Sequence, residues 1–385
     1  YTVQAGDALS QTTWYWRVTA KDVNNYISAP SLSRSIIIDT SAPNAPVISS
    51  IAADNIINNA EKTAIMVAGT AEANALVSAT LSDGTNSKTG IQQLTLGATN
   101  YSITIDGSAA APAALADGTI TPSVTAQDAA GNTSSATTTP TAIQDTAANP
   151  VPTAIHVKAG ASNAIDIINS SSEASVSVDV TFASNPESGT VYVELRDVGN
   201  AHTVTGIIAA NTSGLVTTVT GIDATSLNNG AVSVNARHTD SAGNAGTLTT
   251  GTAAVKDAAA PTVSTVVANP ATGTRKVGDS VIVTVTTSQA GLSGLTGTVN
   301  AKSVTLTDNT DNTYTGTYTI AEGDTDRAAN ALPIAFTLAD AAGNTVAVNA
   351  FTSTTPVIDA HAPTVSTVVA NPATGTRKVG DSVIV

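Results

Sequence analysis

One segment of this chain occurs twice, almost unchanged. Residues 257–283, "DAAAPTVSTVVANPATGTRKVGDSVIV", return 102 positions later as "DAHAPTVSTVVANPATGTRKVGDSVIV", with Ala259 replaced by His361 as the sole difference. Repetition at so long a period indicates a tandem array of whole domains rather than one globular enzyme. We therefore expect the chain to be a length of a longer repeating protein, and its function has to be argued for the array.

Two short motifs divide the sequence at regular intervals. The first is Asp-x-x-Gly-Asn, which begins at Asp128, Asp240 and Asp340, with a degenerate form at Asp22. The second is an Asp followed by small residues and a proline, and it follows the first by 17 residues three times and by 19 once. With the second motif as the boundary, the predicted units are a partial module at 1–38, intact modules at 39–144, 145–256 and 257–358, and a partial module at 359–385.

The composition favours strands over helices. Only 11% of residues are charged and 3% are aromatic, while 42% are hydrophobic, many of them β-branched. Residues 174–182, "ASVSVDVTF", alternate so that Val176, Val178 and Val180 share one face, whereas no segment keeps an apolar period of 3.6 residues over three turns. About 100 residues with about seven short strands is the size of an immunoglobulin-like β-sandwich. The predicted fold is therefore all-β, with tandem sandwich modules arranged as an elongated rod.

The motifs also carry a resemblance to a known family. The Asp-x-x-Gly-Asn turn near the end of each module, the Asp-small-Pro joint and the opening "NPATGTRKVGDSVIV" resemble bacterial immunoglobulin-like repeats, which occur in large surface adhesins, biofilm proteins and surface-layer proteins. The resemblance covers essentially the whole chain. It implies a β-sandwich fold and a cell-surface setting, and the family includes members whose joints are stiffened by calcium.

Charge and motif content argue against several other functions. The formal net charge is −14 without a basic patch, and nucleic-acid binding needs clustered Lys and Arg, so nucleic acid is not an expected partner. The chain has no cysteine and no apolar run of transmembrane length, so we expect any export signal or anchor to lie outside it. The four histidines are scattered and no nucleophile motif stands out, so we predict that the chain is not an enzyme.

The acidic residues are concentrated where modules should meet. Because neighbouring strands of a sandwich alternate in direction, the Asp-x-x-Gly-Asn turn should lie beside the joint that leads into its own module, and the loop after the first strand should lie beside the next joint. Crowded carboxylates repel one another unless a cation binds them, and hard oxygen ligands suit Ca²⁺. The predicted Ca²⁺ ligands are Asp39, Asp54, Glu61, Asp128, Asp145, Asp166, Glu173, Asp240, Asp257, Asp324, Asp326, Asp340 and Asp359.

A second interpretation of these acids needs no ion. An Asp before Gly-Asn commonly accepts hydrogen bonds from nearby backbone N–H groups in a turn, and Asp in a linker before proline can do the same. This interpretation accounts well for Asp128, Gly131 and Asn132, and less well for the loop acids and the linker Asp. Both interpretations stay open on the sequence alone.

The functional prediction is a non-catalytic extender in an extracellular, cell-surface protein of a bacterium or archaeon, such as an adhesin stalk with calcium-stiffened joints. Its expected partners are the neighbouring modules of the same chain or other copies of itself. The alternative is a self-assembling surface-layer, sheath or filament subunit. A ligand-binding adhesin tip ranks last, because the intact modules show no aromatic-rich loop set.

Overall fold

The computed structural model describes residues 9–111, 113–158 and 165–385. Regular structure in these ranges consists of strands and two single-turn 3₁₀ helices, Glu173–Ser175 and Val198–Asn200. The buried apolar side chains of the described residues form three separate clusters, within residues 48–142, 155–254 and 266–360. Each cluster is the core of one unit, called here the first, second and third module. The expected all-β architecture of tandem modules is confirmed.

The first module follows a hairpin of two antiparallel strands, β1 (Thr12–Trp16) and β2 (Arg34–Ile38). One sheet of this module has the order β3-β5-β8 and the other has the order β4-β10-β9-β6-β7. Its strands are β3 (Val47–Ile51), β4 (Ile56–Ile57), β5 (Ile65–Thr70), β6 (Leu76–Ser82), β7 (Ser87–Gln93), β8 (Asn100–Ile105), β9 (Gly118–Gln127) and β10 (Ala142–Gln144).

The second module repeats this plan. Its sheets have the orders β11-β13-β16 and β12-β19-β17-β14-β15, and β18 also pairs with β17. Its strands are β11 (Pro152–Val157), β12 (Ile167–Asn169), β13 (Val176–Phe182), β14 (Gly189–Asp197), β15 (Thr203–Ala209), β16 (Val216–Ile222), β17 (Gly230–Asp240), β18 (Thr249–Thr250) and β19 (Ala254–Asp257).

The third module has the sheets β20-β22-β26-β25 and β24-β23-β27-β28, and its short strand β21 pairs with β29. The repeated segment that begins at Asp359 contributes an isolated bridge between Asn371 and Ile384. The module's strands are β20 (Val263–Asn269), β21 (Thr274–Lys276), β22 (Ser280–Thr287), β23 (Thr296–Val299), β24 (Lys302–Thr305), β25 (Thr307–Asp308), β26 (Thr313–Thr319), β27 (Ile334–Ala339), β28 (Thr345–Val348) and β29 (Val357–Asp359).

All three modules share features that identify the sandwich type. The second strand of each module pairs in parallel with the last strand, as β4 with β10, β12 with β19 and β21 with β29, while the other pairings are antiparallel. The first strand of each module carries a register shift against its neighbour. Two facing sheets, one built on β3-β5-β8, β11-β13-β16 or β20-β22-β26 and the other on the remaining long strands, define an immunoglobulin-like sandwich, so this part of the fold prediction is also confirmed.

The alternation of side chains explains why these strands form a core. In β13, Val176, Val178 and Val180 are buried while the residues between them are half-buried, as the sequence pattern predicted. Burying one such side chain stabilises the fold by about 1.5–3 kcal/mol relative to leaving it exposed. Small polar residues fill the alternate positions, so each module buries a narrow core and leaves the outer sheet faces to solvent.

Candidate functional site at the module joints

The Asp-x-x-Gly-Asn motif folds into the same turn in every intact module. In the second module, the Asp240 carboxylate accepts hydrogen bonds from the backbone N–H of Asn244 at 2.8 Å and from its side-chain Nδ2 at 2.9 Å. Gly243 lies between them at φ +91°, a left-handed conformation that favours glycine. The first and third modules have equivalent bonds at 2.8–2.9 Å, between Asp128 and Asn132 and between Asp340 and Asn344.

The Asn of each turn also binds the linker that enters its own module. The side-chain Nδ2 of Asn244 donates to the main-chain carbonyl of Asp145 at 2.9 Å. The predicted juxtaposition of turn and linker is therefore present, and the hydrogen bond that joins them runs from an Asn amide to a backbone carbonyl. The same bond joins Asn132 to Asp39 at 3.1 Å and Asn344 to Asp257 at 2.8 Å.

At two joints the same Asn reaches the preceding module. Its side-chain Oδ1 accepts the backbone N–H of Asn59 at 2.7 Å for Asn244, and that of Ser170 at 2.9 Å for Asn344. We call each set of bonds from one Asn to its turn, its linker and the preceding module a joint clasp. A primary amide can donate and accept at once, which is why this residue type can bridge all three segments.

The third module's clasp is reinforced by a second buried amide. Asn169, which is fully buried at the end of β12, donates from Nδ2 to the carbonyl of Ala342 at 2.8 Å. Its Oδ1 accepts the backbone N–H groups of Ser171 and Ser172 at 3.1 and 3.2 Å, which fixes the loop that presents Ser170. Buried polar groups of this kind are costly when unpaired, so the bonds across this joint are needed to keep Asn169 satisfied.

The linker acids use their side chains locally. The Asp145 Oδ1 atom accepts the backbone N–H of Ala147 at 3.1 Å, which is the turn role that the second interpretation of the sequence described. The same two-residue bond is made by Asp39 to Ser41 at 3.0 Å, by Asp257 to Ala259 at 3.1 Å and by Asp359 to His361 at 3.5 Å.

The acids of the loop after the first strand lie near the next joint but are not gathered around one point. Asp54 accepts the N–H of Ile56 at 2.9 Å, and Glu61 accepts that of Asn58 at 3.2 Å. In the second module, the Asp166 carboxylate accepts the Val157 N–H at 2.8 Å and lies 2.9 Å from His156 Nδ1, whereas Glu173 pairs with Lys256 Nζ at 2.9 Å.

The acids of the "EGDTD" segment serve the third module and the joint that follows it. Asp324 is buried against Lys302 Nζ at 2.8 Å and the Tyr318 hydroxyl at 2.8 Å, and the hydrogen bond from Lys302 is the main cause that lowers its pKa to about 2. Asp326 accepts the Ala360 N–H at 2.7 Å, which lowers the pKa of Asp326. Its Oδ1 atom also lies 3.0 Å from His361 Nδ1.

Three carboxylates do converge at the joint between the first and second modules, called here the second joint. Asp145, Glu187 and Asp240 each place one oxygen within 4.8 Å of the others, and no other set of three His, Cys, Asp or Glu side chains among the described residues is as close. None of the three forms an ion pair with a cationic side chain in the part of the chain that the structure describes. A compact, unneutralised set of hard oxygen donors fits a divalent cation such as Ca²⁺.

Two of these three acids were predicted from the sequence, and Glu187 was not. Glu187 lies in the loop between β13 and β14, where neither recurrent motif marks it. The corresponding loop of the first module contains Glu72, which lines a surface cleft together with Asp39 and Asp128. The loop of the third module, residues 288–295, has no acidic residue. A comparison of these loops between modules is the signal that would have pointed to Glu187.

Comparisons with known proteins give low similarity throughout. No protein-family model matches the chain, and no curated protein is similar to it. A solved structure of a tetra-tandem repeat in the extending region of a large adhesion protein is 20% identical, with 91% of this chain and 82% of that chain covered and a TM-score of 0.26. The chicken CNTN1 FN1–FN3 domains are 12% identical, with 65% and 79% covered and a TM-score of 0.33. The Clostridium thermocellum CbhA fibronectin(III)-like modules are 13% identical, with 54% and 94% covered and a TM-score of 0.31.

The strand orders of the two sheets in each module define the fold. Among the described residues, no helix has the length and apolar character that crossing a bilayer requires.

Proposed function

We propose that the chain is a non-catalytic extender of an extracellular, cell-surface protein of adhesin-stalk type, in which the sandwich modules are arranged as an elongated rod. The observation that carries this proposal is the joint clasp, in which one Asn side chain holds a turn, a linker and the preceding module together. The Asn recurs in the turn of all three intact modules, and at the two joints between intact modules it also binds the preceding module. Within a repeating array, a contact repeated in this way serves the connection between modules rather than the chemistry of any one of them.

The energy of the clasp suits a joint that limits bending. One hydrogen bond contributes about 0.5–1.5 kcal/mol net, and the clasp of Asn344 is nearly fully buried, where an unmade bond costs about 1–3 kcal/mol. Among the described residues, side-chain hydrogen bonds from Ser170 N–H to Asn344 and from Asn169 to the Ala342 carbonyl join the second and third modules. Together the two bonds contribute about 1–3 kcal/mol, which is more than the thermal energy of about 0.6 kcal/mol. A small set of orientations of the third module relative to the second should therefore dominate.

The test is a spin-label distance measurement between modules. The chain has no native cysteine, so labels can be placed at the exposed strand positions Thr89, Thr205 and Ser303 in the three modules. We expect Asn344→Ala to broaden the Thr205–Ser303 distance distribution and to leave the Thr89–Thr205 distribution unchanged.

Asn132→Ala is the matched control. It removes the same bonds within the turn and to the linker, but Asn132 makes no described bond to a module on the far side of its joint. Both distributions should stay as narrow as in the unmodified chain. An unchanged Thr205–Ser303 distribution in the Asn344→Ala variant would contradict the proposal.

We also propose that Ca²⁺ stiffens the second joint by binding Asp145, Glu187 and Asp240. Support comes from the convergence of three carboxylates without a cationic partner. The joint between the second and third modules, called here the third joint, has no acidic residue in the loop that corresponds to the loop of Glu187. It should therefore not respond to the ion.

Hydrogen exchange with millimolar Ca²⁺, and again with a chelator, tests the ion directly. Ca²⁺ should slow exchange in residues 145–149 and 240–244 but not in residues 257–261 and 340–344, because ligand binding stabilises only the state that binds it. Glu187→Gln should abolish the effect, and Glu322→Gln, an exposed acid at another joint, should not. An equal response at both joints, or none at either, would remove the calcium assignment and leave the clasp proposal standing.

A further inference from the structure

The outer face of the second module's larger sheet differs from the rest of the array. Tyr192 on β14 is paired across the sheet with Ile207 on β15 and with Arg237 on β17, so the three side chains form a row on one face. The next row contains Thr205, Glu194 and Asn235, and Arg196 follows along β14. We call this set of side chains the β14–β17 face: Tyr192, Glu194, Arg196, Thr205, Ile207, Asn235 and Arg237.

The acidic group of this face is already neutralised. The Glu194 carboxylate accepts two hydrogen bonds from the Arg196 guanidinium, at 2.6 and 2.7 Å, which is the bidentate geometry of a strong pair. It also accepts the Tyr192 hydroxyl at 3.3 Å and the Asn235 amide at 3.4 Å. Glu194 therefore fixes the positions of the side chains around it, and the face has no unpaired carboxylate.

Arg237 is the group that remains without a counter-ion. Its guanidinium carbon lies 5.3 Å from the centroid of the Tyr192 ring, a cation–π contact that orients the planar fork. Among the described residues no carboxylate lies within ion-pair distance of it, and its buried Nε atom has no hydrogen-bond partner. The face thus carries one oriented positive charge in a chain whose formal net charge is −14.

The fold does not require these side chains. At the positions matched by register and by distance from the Asp-x-x-Gly-Asn turn, the first and third modules carry small side chains on the same face. The positions on the strands that match β14 and β17 hold Ser78, Thr80, Ser82, Ser123 and Thr125 in the first module and Thr296, Thr298, Ala335 and Thr337 in the third. The position of Ile207 is also apolar in the first module, where it holds Ile91, so the tyrosine and the charged side chains are what distinguish the second module.

We propose that the β14–β17 face binds an acidic polysaccharide. A guanidinium fork is complementary to a sugar carboxylate in a bidentate pair, and Asn235 and Thr205 offer amide and hydroxyl groups to the ring hydroxyls beside it. Ile207, which is 65% exposed, offers an apolar contact for the C–H side of a sugar ring.

The shape of the face favours a saccharide over an acidic protein. A stable protein interface covers about 800 Å² on each partner around a core of apolar anchors, whereas this flat face presents a single exposed apolar side chain among polar ones.

The test is the binding of the complete chain to polygalacturonate, with its methyl ester as the uncharged form of the same polymer. We expect binding to the acid and at least tenfold weaker binding to the ester. Arg237→Thr, which installs the residue found at the matched positions of the other modules, should weaken binding to the acid at least tenfold. Tyr192→Ser should also weaken binding to the acid, because the Arg237 guanidinium loses the aromatic ring that orients it.

Lys276→Thr is the control, since it removes one exposed positive charge from the third module. It should leave binding unchanged, and unfolding curves of all variants would show that each remains folded. Equal losses in the Arg237 and Lys276 variants, equal binding to acid and ester, or no binding by the unmodified chain would each overturn the proposal. Equally tight binding of poly-glutamate would instead assign the face to acidic protein segments.

Discussion

His238 gives the second module a specific weakness in acid. Its side chain is fully buried in the core, with its ring 6.1 Å from that of Phe182 in an edge-on arrangement. Neither ring nitrogen has a hydrogen-bond partner among the described residues. Burial lowers the pKa of His238, while the nearby backbone of Glu187 and then the carboxylates of Asp240 and Glu187 act in the opposite direction. We predict that His238→Leu stabilises this module and removes the part of its acid sensitivity that this histidine causes.

The size of the effect follows from the buried imidazole. Leaving a buried polar group without a hydrogen bond costs about 1–3 kcal/mol, and leucine has a similar volume, so the free energy of unfolding at pH 7 should rise by roughly that amount. Leucine is also the residue that the third module has at the matched position, Leu338, which is fully buried.

The sign of the pH dependence follows from the lowered pKa. The unfolded chain binds a proton at pH about 6.5, while the folded module binds it only at lower pH, so stability is complete above the unfolded pKa and is lost as the pH falls below it. The slope can reach about 1.4 kcal/mol per pH unit between the two pKa values. His238→Leu has no titrating group at this position, so this slope should disappear.

Denaturant-dependent hydrogen exchange, read by mass spectrometry at pH 7 and pH 5, measures the free energy of each module in one sample. Peptides from β13 and β17 report on the second module, and peptides from β5 and β22 report on the other two as internal controls. The reasoning is refuted if the free energy of unfolding of the second module falls between pH 7 and pH 5 as much in the His238→Leu variant as in the unmodified chain. Destabilisation of that module at pH 7 would refute the estimate of the cost of burial.

Three further changes test the packing of the modules. Asp324→Asn should destabilise the third module by roughly 1–3 kcal/mol at pH 7, because the buried ion pair with Lys302 is lost. In the unmodified chain the ion pair contributes fully above pH about 4, and its contribution should disappear as the pH falls towards about 2. Urea titrations at stepped pH would measure both effects. Lys256→Met should cost the second module roughly 3–5 kcal/mol in chemical denaturation, since Glu173 and three backbone carbonyls lose a buried partner. Gly294→Ala should lower the melting temperature of the third module, because a Cβ there would lie 2.2 Å from the carbonyl oxygen of Thr337.

The strands could be predicted from the sequence because their signal is local. Alternation over six to nine residues, as in the segment that became β13, fixes which side chains face a core whatever the rest of the chain does. The repeated motifs also placed each Asp-x-x-Gly-Asn turn beside its linker, because the direction of the strands in a sandwich follows from their order. Short pairings such as β4 with β10 were not predicted, since two residues are too few to show a pattern.

The chemistry of the joints was harder to predict because it depends on contacts between distant residues. Asn244 and Asn344 looked like turn residues, and their bonds to Asn59 and Ser170 span 185 and 174 positions of the chain. Nothing in the local sequence distinguishes an Asn that only accepts a positive φ from one whose amide bridges two modules. The equally spaced loop acids show the same difficulty, because equal spacing does not imply equal contacts: Asp54 accepts a backbone N–H two residues away, whereas Asp166 accepts that of Val157.

The clasp also limits how a cation could bind at the second joint. The Asp240 Oδ2 atom already accepts hydrogen bonds from Asn244 at 2.9 Å and Asn149 at 3.2 Å, which occupy both of its lone pairs. Its Oδ1 atom accepts one bond, from the Asn244 N–H, and so keeps one lone pair for a metal ion. With Asp145 and Glu187 as the other acidic donors, an ion would complete its shell with backbone oxygens and water, which is typical of the weak extracellular calcium sites with dissociation constants of about 10⁻⁴–10⁻³ M. Hydrogen bonds would then set the geometry of the joint, and calcium would reinforce a contact that is already formed.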